Sequence, residues 1–329
     1  VPLWQKTNRK LKILNSQSKV AVLTGGIGQE RDISIQSGAC VAEALEKAGL
    51  NVVTFDIRPD KLDILDDTDI DVFFIALHGK FGEDGQLQQI LDDKSLIYTG
   101  SGPTASSLAF DKMAGKKRFA QAGVATQTAI VFNSNTDIHK LQKQLAELGN
   151  KYVVKPIRQG SSIGVTIVSA TDEAILTARQ TLKEFGDCMI ESFIAGREVT
   201  VGILCDRTLP IIEIRPQTGF YDYQAKYLDD QTQFLFDTIT DNTVVNRLES
   251  AALACFNALG CRHFARVDFI LSDDGIPYAL EVNTIPGFTT HSLLPKAAAK
   301  AGFSISDLCT KIIEAALNRR LSNDPRFCL

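Results

Sequence analysis

The stretch from Phe264 to Ser292 constrains the fold more than any other. Phe264 to Leu271 and Tyr278 to Val282 flank Ser272-Asp273-Asp274-Gly275, and apolar alternation around such a turn predicts a β-hairpin. A strand carries alternate residues to one face, so Glu281 and Asn283 share a face. With a loop of Asp273 to Ile276, Asp268 falls opposite Glu281, and Arg266 lies on the same face as Asp268. Two carboxylates and an amide oxygen suit a hard cation such as magnesium, which usually also holds a nucleotide's phosphates. The alternative is a solvated hairpin face with a charge pair. The loop that follows, Asn283-Thr284-Ile285-Pro286-Gly287-Phe288-Thr289, places a Pro-Gly turn at the same end.

A chain of 329 residues exceeds a typical single core, so two or three domains are expected. The net charge of −4, with both signs interspersed, provides no basic footprint for a nucleic-acid partner. Apolar runs such as Val72 to Leu77 are too short to cross a bilayer, so no membrane partner is expected. The 7 Cys are scattered singly with no Cys-x-x-Cys, which reads as reduced thiols in a cytoplasmic protein. Residues 1–18 carry Lys6, Arg9, Lys10 and Lys12 without the apolar segment of a secretory signal, and read as an arm or short helix.

Lys19 to Thr24 is a short apolar strand ending in Gly25-Gly26-Ile27-Gly28. A helix with Val41, Leu45 and Ala48 on one face follows, stopped by Gly49. Strands at Val52 to Phe55 and Val72 to Leu77 complete an α/β layer with a parallel sheet. Ligands collect at the carboxyl ends of such strands, where Gly25 to Ser34 and His78 to Gly85 lie. Gly26-x-Gly28 with Asp56 imitates a dinucleotide fingerprint, but Arg31 stands where its third Gly belongs. A helix N-terminus beside Glu30 can instead hold a zwitterion, N–H groups near its carboxylate and Glu30 near its ammonium. His78 is either a structural histidine or a ligand contact.

Asp111-Lys112 opens a helix through Phe119 and Ala122, and a helix from Thr136 carries Ile138, Leu141, Leu145 and Leu148. Strand Tyr152 to Lys155 leads into Arg158-Gln159-Gly160-Ser161-Ser162-Ile163-Gly164, a flexible loop whose N–H and O–H groups can wrap phosphate. It lacks the Gly-Lys-Ser/Thr ending of a P-loop, while Lys155 supplies a point charge; a plain hairpin turn is the alternative. Thr171 is read as the cap of the next helix. Glu191, the apolar pair Phe193-Ile194 and Glu198 can grip an adenine and its ribose, or be only a strand–turn–strand. The aromatic segment Phe220 to Tyr227, with Lys226, reads as a lid.

These pieces together resemble the D-alanine–D-alanine ligases of the ATP-grasp superfamily, from Val20 to about Leu317. The ordered motifs are Gly25-Gly26 with Glu30-Arg31-Asp32-Ile33-Ser34, His78-Gly79 with Gly82-Glu83-Asp84-Gly85, Tyr98-Thr99-Gly100-Ser101-Gly102, Lys155-Pro156, Gly160-Ser161-Ser162-Ile163-Gly164, Tyr221-Asp222-Tyr223 with Lys226-Tyr227, and Glu281-Val282-Asn283-Thr284 with Pro286-Gly287 and His291-Ser292. Ile27-Gly28 departs from the pattern, since many members carry Ser there.

The resemblance implies an α/β fold, α+β in part, of three ATP-grasp domains. They are a parallel-sheet domain (19–105, after an arm at 1–18), a central domain (106–197) and a C-terminal domain (198–329). It implies ATP, with Lys112, Lys155, Ser161, Ser162 and Lys226 at the phosphates. Glu191, Phe193, Ile194 and Glu198 would lie at the adenosine. Two magnesium or manganese ions would sit on Asp268, Glu281 and Asn283. Two D-alanine molecules would be bound by Glu30, His78, Arg266, Gly287, Ser292 and Leu293. Arg266 and the Gly287 N–H would form an oxyanion hole, and Ser161 and Tyr227 would link to Glu30. A homodimer is expected. Tyr227 further implies an amine nucleophile rather than the hydroxyl of D-lactate.

Overall fold

The computed structural model describes residue 14 and residues 17–216 and 232–322. Three sheets organise them. The first is formed by β1 (Lys19–Gly25), β2 (Asn51–Ile57) and β3 (Val72–Ile75), in the order β2-β1-β3 and wholly parallel. Helix α1 (Arg31–Lys47) crosses between β1 and β2, and α2 (Gln86–Asp93) follows β3. Val20, Ala21, Val22 and Leu23 are all fully buried, as a parallel strand covered on both faces must be. The expected layer is therefore present, with β2 two residues longer at its C-terminal end than its apolar core suggested.

Helices α3 (Pro103–Phe110) and α4 (Lys112–Gln121) lead into an antiparallel sheet of β4 (Ala129–Phe132), β5 (Tyr152–Pro156), β6 (Thr166–Val168) and β7 (Cys188–Ser192), ordered β4-β7-β5-β6. Its helices are α5 (Ile138–Leu148) and α6 (Thr171–Phe185). Asp111 caps α4 through the Ala114 N–H, and Asp137 caps α5 through His139 and Lys140. Helix α3 was not expected; its small residues carry little amphipathic pattern, and Pro103 at its first turn is the one start signal. Thr171 does not cap α6, because Ala170 holds that place. The Thr171 hydroxyl instead lies 3.1 Å from the Tyr152 hydroxyl.

The third sheet runs β11 (Gln233–Leu235), β10 (Ile212–Arg215), β8 (Arg197–Leu204), β12 (Phe264–Leu271), β13 (Pro277–Asn283), with β9 (Arg207–Thr208) paired to β8. Helix α7 (Asn242–Leu259) packs on it, capped by Asp241 and ended by Gly260 at φ +73°. Helices α8 (Leu293–Lys300) and α9 (Ile305–Ser322) follow the hairpin. In β12–β13, Asp268 does face Glu281, but by a different route from the one expected. Leu271 pairs with Pro277, which makes the loop one residue longer, and a bulge at Leu280 restores the register.

The first and third sheets share a core. Phe74 of β3, Phe264 at the start of β12 and Phe288 of the following loop meet with ring centroids 5.3–6.5 Å apart, all nearly inaccessible. Burial of each such ring contributes about 1.5–3 kcal/mol. A polar clamp lies beside them. The Gly100 N–H donates to His263 Nδ1 at 3.1 Å, and Arg262 Nε donates to Gly100 O at 2.7 Å.

Burial pulls His263 down to about 4 from an ordinary 6.5. The unfolded chain therefore takes up this proton first on acidification. Stability contributed by neutral His263 is complete above about pH 6.5 and is lost as pH falls toward 4. Urea unfolding at pH 7 and pH 5 should show a loss on the order of 2 kcal/mol that His263→Gln reduces. An unchanged pH slope in the variant would refute this.

Candidate active site

Two cavities meet at the end of the hairpin. The smaller, of about 90 Å³, is walled by Glu30, His78, Arg266, Gly287, Ser292 and Leu293, all of them anticipated from the sequence. Glu30, 8% exposed, ends the Gly-rich turn after β1 immediately before α1. Ser161 Oγ donates to its Oε1, which ties the Gly160–Gly164 loop across the mouth. Gly79, at φ +69°, passes so close that a Cβ there would collide with Glu30 Oε2. Burial raises the Glu30 carboxyl above its ordinary range, and the like charge of Glu83 adds to this; Ser161, His78 and Lys112 oppose it. A cation entering between Glu30 and Glu83 relieves that repulsion.

His78 is held by Ser37, whose Oγ lies 3.1 Å from Nε2 and accepts the Phe288 N–H at 3.3 Å. Its Nδ1 is 3.9 Å from Glu83 Oε1. Ser292 Oγ accepts the Thr289 N–H at 3.0 Å, and a Cβ on Gly287 would approach Ser292 Oγ to 2.6 Å. Gly287 is thus required by close approach rather than by its backbone angle.

The larger cavity, of about 350 Å³, lies between β5–β7 of the second sheet and β8, β10, β12 and β13 of the third. Its walls include Lys155, Ser162, Phe193, Ile194 and Glu198. Glu191, 1% exposed, lines it between two ammonium groups: Lys116 Nζ is 2.7 Å from Oε1 and Lys155 Nζ 2.8 Å from Oε2. Burial alone would raise Glu191, but Lys155 and Lys116 outweigh it and hold the carboxyl below its ordinary value. Burial brings Lys116 down to about 8, against the pull of Glu191.

Lys112, Gln159 and Glu281 line both cavities. Lys112 Nζ lies 3.0 Å from Glu281 Oε2 and donates to Gln159 O at 2.6 Å. Asp268 accepts from Arg266 Nε and Nη2, both at 2.8 Å, and from Thr200 Oγ1 at 2.6 Å. Asn283 Oδ1 accepts the Ile285 N–H at 3.0 Å. Register places Asp268 opposite Glu281 and Arg266 opposite Asn283, so the three oxygen donors share one end of the hairpin. Among the described residues no three His, Cys, Asp or Glu side chains form a metal cluster, and the Asn283 amide is needed to complete the set. An all-oxygen set beside cationic partners fits magnesium, which prefers such ligands and takes others from phosphate.

Asp56, which imitated a ribose-binding acid, is instead bound by Arg31 at 2.7 and 2.8 Å and by Arg58 at 2.6 Å. Hydrogen bonds from these guanidinium groups hold it well below the usual carboxylate range. A Cβ on Gly25 would strike the Arg31–Asp56 pair, so Gly25 serves an ion pair rather than a dinucleotide. The lid expected over Phe220 to Tyr227, with Lys226 and Tyr227, lies outside the described residues. Two site residues were missed. Lys116 stands four positions after Lys112 on the same helix face, a spacing that could have revealed it. Glu83 sits in an irregular loop, where no periodicity assigns a direction.

A family model described as D-ala D-ala ligase C-terminus matches residues 119–314. A curated D-alanine–D-alanine ligase of Syntrophotalea carbinolica is 43% identical over 305 residues, 92% of this chain and 98% of that one. A solved D-alanine–D-alanine ligase of Bacillus anthracis superposes with TM-score 0.83 at 38% identity, covering 92% of this chain and 98% of that one. The same Bacillus anthracis enzyme complexed with ATP superposes at 0.82 with 37% identity and the same coverage. With two adjoining cavities of this make-up, the chain belongs to the D-alanine–D-alanine ligase family of ATP-grasp enzymes.

Proposed function

We propose that the protein joins two D-alanine molecules with ATP, through D-alanyl phosphate, to give D-alanyl-D-alanine, ADP and phosphate for peptidoglycan precursors. The observation that carries this is the sharing of Lys112, Gln159 and Glu281 by a nucleotide-sized cavity and a small polar pocket. A γ-phosphate at that junction meets a carboxylate held on the other side. The ATP complex of the Bacillus anthracis relative supports the nucleotide assignment.

Glu30 takes the ammonium of the first D-alanine, and the carboxylate oxygen of that D-alanine attacks the γ-phosphorus as ADP departs. Lys112 and Lys155 lie along the triphosphate, Glu191 meets the adenine amino group and Glu198 the ribose. Asp268, Glu281 and Asn283 would hold two magnesium or manganese ions, which would neutralise phosphate charge. The second D-alanine sits with its carboxylate on Ser292, loses an ammonium proton and attacks the acyl carbon, and phosphate leaves. Arg266, oriented by Asp268, and the Gly287 N–H face the developing oxyanion. One such donor is typically worth ~3 kcal/mol, about a hundredfold in rate. Acyl phosphates hydrolyse, so the Ser161 loop excludes water, and Lys226 and Tyr227 complete the closure. The protein acts as a cytoplasmic homodimer in this reading, with the division into three domains near residues 105 and 197.

Product analysis after incubation with ATP, magnesium, D-alanine and competing D-lactate should give the dipeptide and D-alanine-dependent phosphate. ATP turnover without a D-alanyl product would instead indicate a nucleotide-binding module of another kind. Asp268→Asn and Glu281→Gln should abolish magnesium-dependent turnover at least a hundredfold while sparing D-alanine binding measured by calorimetry; normal turnover in both would remove the metal assignment. Ser161→Ala loses the hydroxyl that orients Glu30, so the KM for the first D-alanine should rise about tenfold. An unaltered KM would separate Ser161 from substrate binding.

A further inference from the structure

Ser37 of α1 is fully buried, and no step above uses it. Its Oγ accepts the Phe288 N–H at 3.3 Å and lies 3.1 Å from His78 Nε2; among the described residues these are its hydrogen-bond partners. A hydroxyl has one hydrogen, and leaving it unpaired in the interior is costly. If His78 donated from Nε2, Ser37 would receive two hydrogens and have nowhere to place its own. The Phe288 N–H can only donate, so the Ser37 hydrogen goes to Nε2, which then carries a lone pair. A neutral imidazole holds one hydrogen, and this leaves it on Nδ1. The other side of the ring agrees. Nδ1 faces Glu83 Oε1 at 3.9 Å, too long for a hydrogen bond, but a carboxylate favours a hydrogen over a lone pair at that nitrogen. Glu83 is itself held in place, its Oε2 accepting the Gly79 N–H at 3.0 Å.

We propose that Ser37 is a positioning residue that fixes His78 as its Nδ1–H tautomer, so that the small pocket meets a hydrogen of His78 and not a lone pair. The consequence for the reaction rests on the reading of that pocket as the D-alanine site. His78 does not take the proton that the second D-alanine gives up, because its one basic nitrogen is turned toward α1 and occupied by the Ser37 hydroxyl. It is instead a donor, and its Nδ1–H steadies the charge of Glu83 opposite. Glu83 and Glu30 together draw in the first ammonium, so losing the Nδ1 hydrogen would turn a lone pair on Glu83 and weaken that attraction.

The test uses the full chain with isotopically labelled imidazole nitrogens. At about pH 8, above the ordinary imidazole range, two-bond proton–nitrogen NMR spectra distinguish a protonated ring nitrogen from one with a lone pair. The chain has 4 His, so the set lost in His78→Asn identifies His78. The wild type should carry the hydrogen on Nδ1, opposite to the Nε2 preference of free histidine. Ser37→Ala should return it to Nε2 and raise the KM for the first D-alanine about tenfold. Ser37→Cys, whose thiol is a weak donor, should fall between the two. The amide nitrogen of Asn stands near the place of Nδ1 and that of Gln near the place of Nε2. His78→Asn should therefore keep about fivefold more kcat/KM than His78→Gln. Thermal unfolding monitors folding, and the wild-type tautomer with the two His78 variants decides the matter if Ser37→Ala does not fold. A hydrogen on Nε2 of wild-type His78 overturns the inference alone, as does an unchanged Nδ1 tautomer in a folded Ser37→Ala. A wild-type protein that binds no D-alanine overturns the reading of the pocket and the consequence drawn from it.

Discussion

The contact of Phe74, Phe264 and Phe288 is the interaction on which the active region depends. Each ring comes from a different part of the chain: a parallel strand, the first residue of the hairpin, and the loop beyond it. Dry packing of these rings brings the carboxyl ends of β1 and β3 against the open end of β12–β13. Glu30 and His78 then face Arg266, Gly287 and Ser292 across a small pocket, although more than 170 residues separate the two groups. Ser37, reaching from α1 to both His78 and the Phe288 N–H, extends the same contact into polar chemistry.

Charge is distributed to suit that geometry. Glu281 is matched by Lys112, Asp268 by Arg266, and Glu191 by Lys116 and Lys155. A buried ion pair contributes little to stability, since desolvation offsets most of its attraction. Its effect here is directional. Each acid is held in one orientation, facing a cavity, before any ligand arrives. The Leu280 bulge adds to this by turning an extra residue into the wall of the larger cavity without disturbing the Asp268–Glu281 pair.

Where the sequence misled, local rules met competing long-range partners. At Asp56 the sequence did not mislead, since Arg31 already stood where a third glycine belongs; the structure adds that Arg31 and Arg58 take up the Asp56 oxygens. Thr171 had the composition of a helix cap, but Tyr152 lay within reach of its hydroxyl. Helix α3 escaped notice because Ala and Ser leave almost no apolar period to read. Lys116 escaped because a lysine on a helix is ordinarily solvated, and its burial follows only from where β7 delivers Glu191.

Alternation and turn chemistry alone determined the parallel first sheet and the β12–β13 hairpin, because those properties depend on neighbours a few residues apart; the facing of Asp268 and Glu281 needed the Leu280 bulge as well. Ordered motifs along the chain determined the family. The tertiary structure decided which acids are paired, which glycines serve close approach, and that two cavities share Lys112 and Glu281. Those outcomes depend on contacts between segments a hundred or more residues apart, and the period of a helix or strand carries no record of what lies across from it.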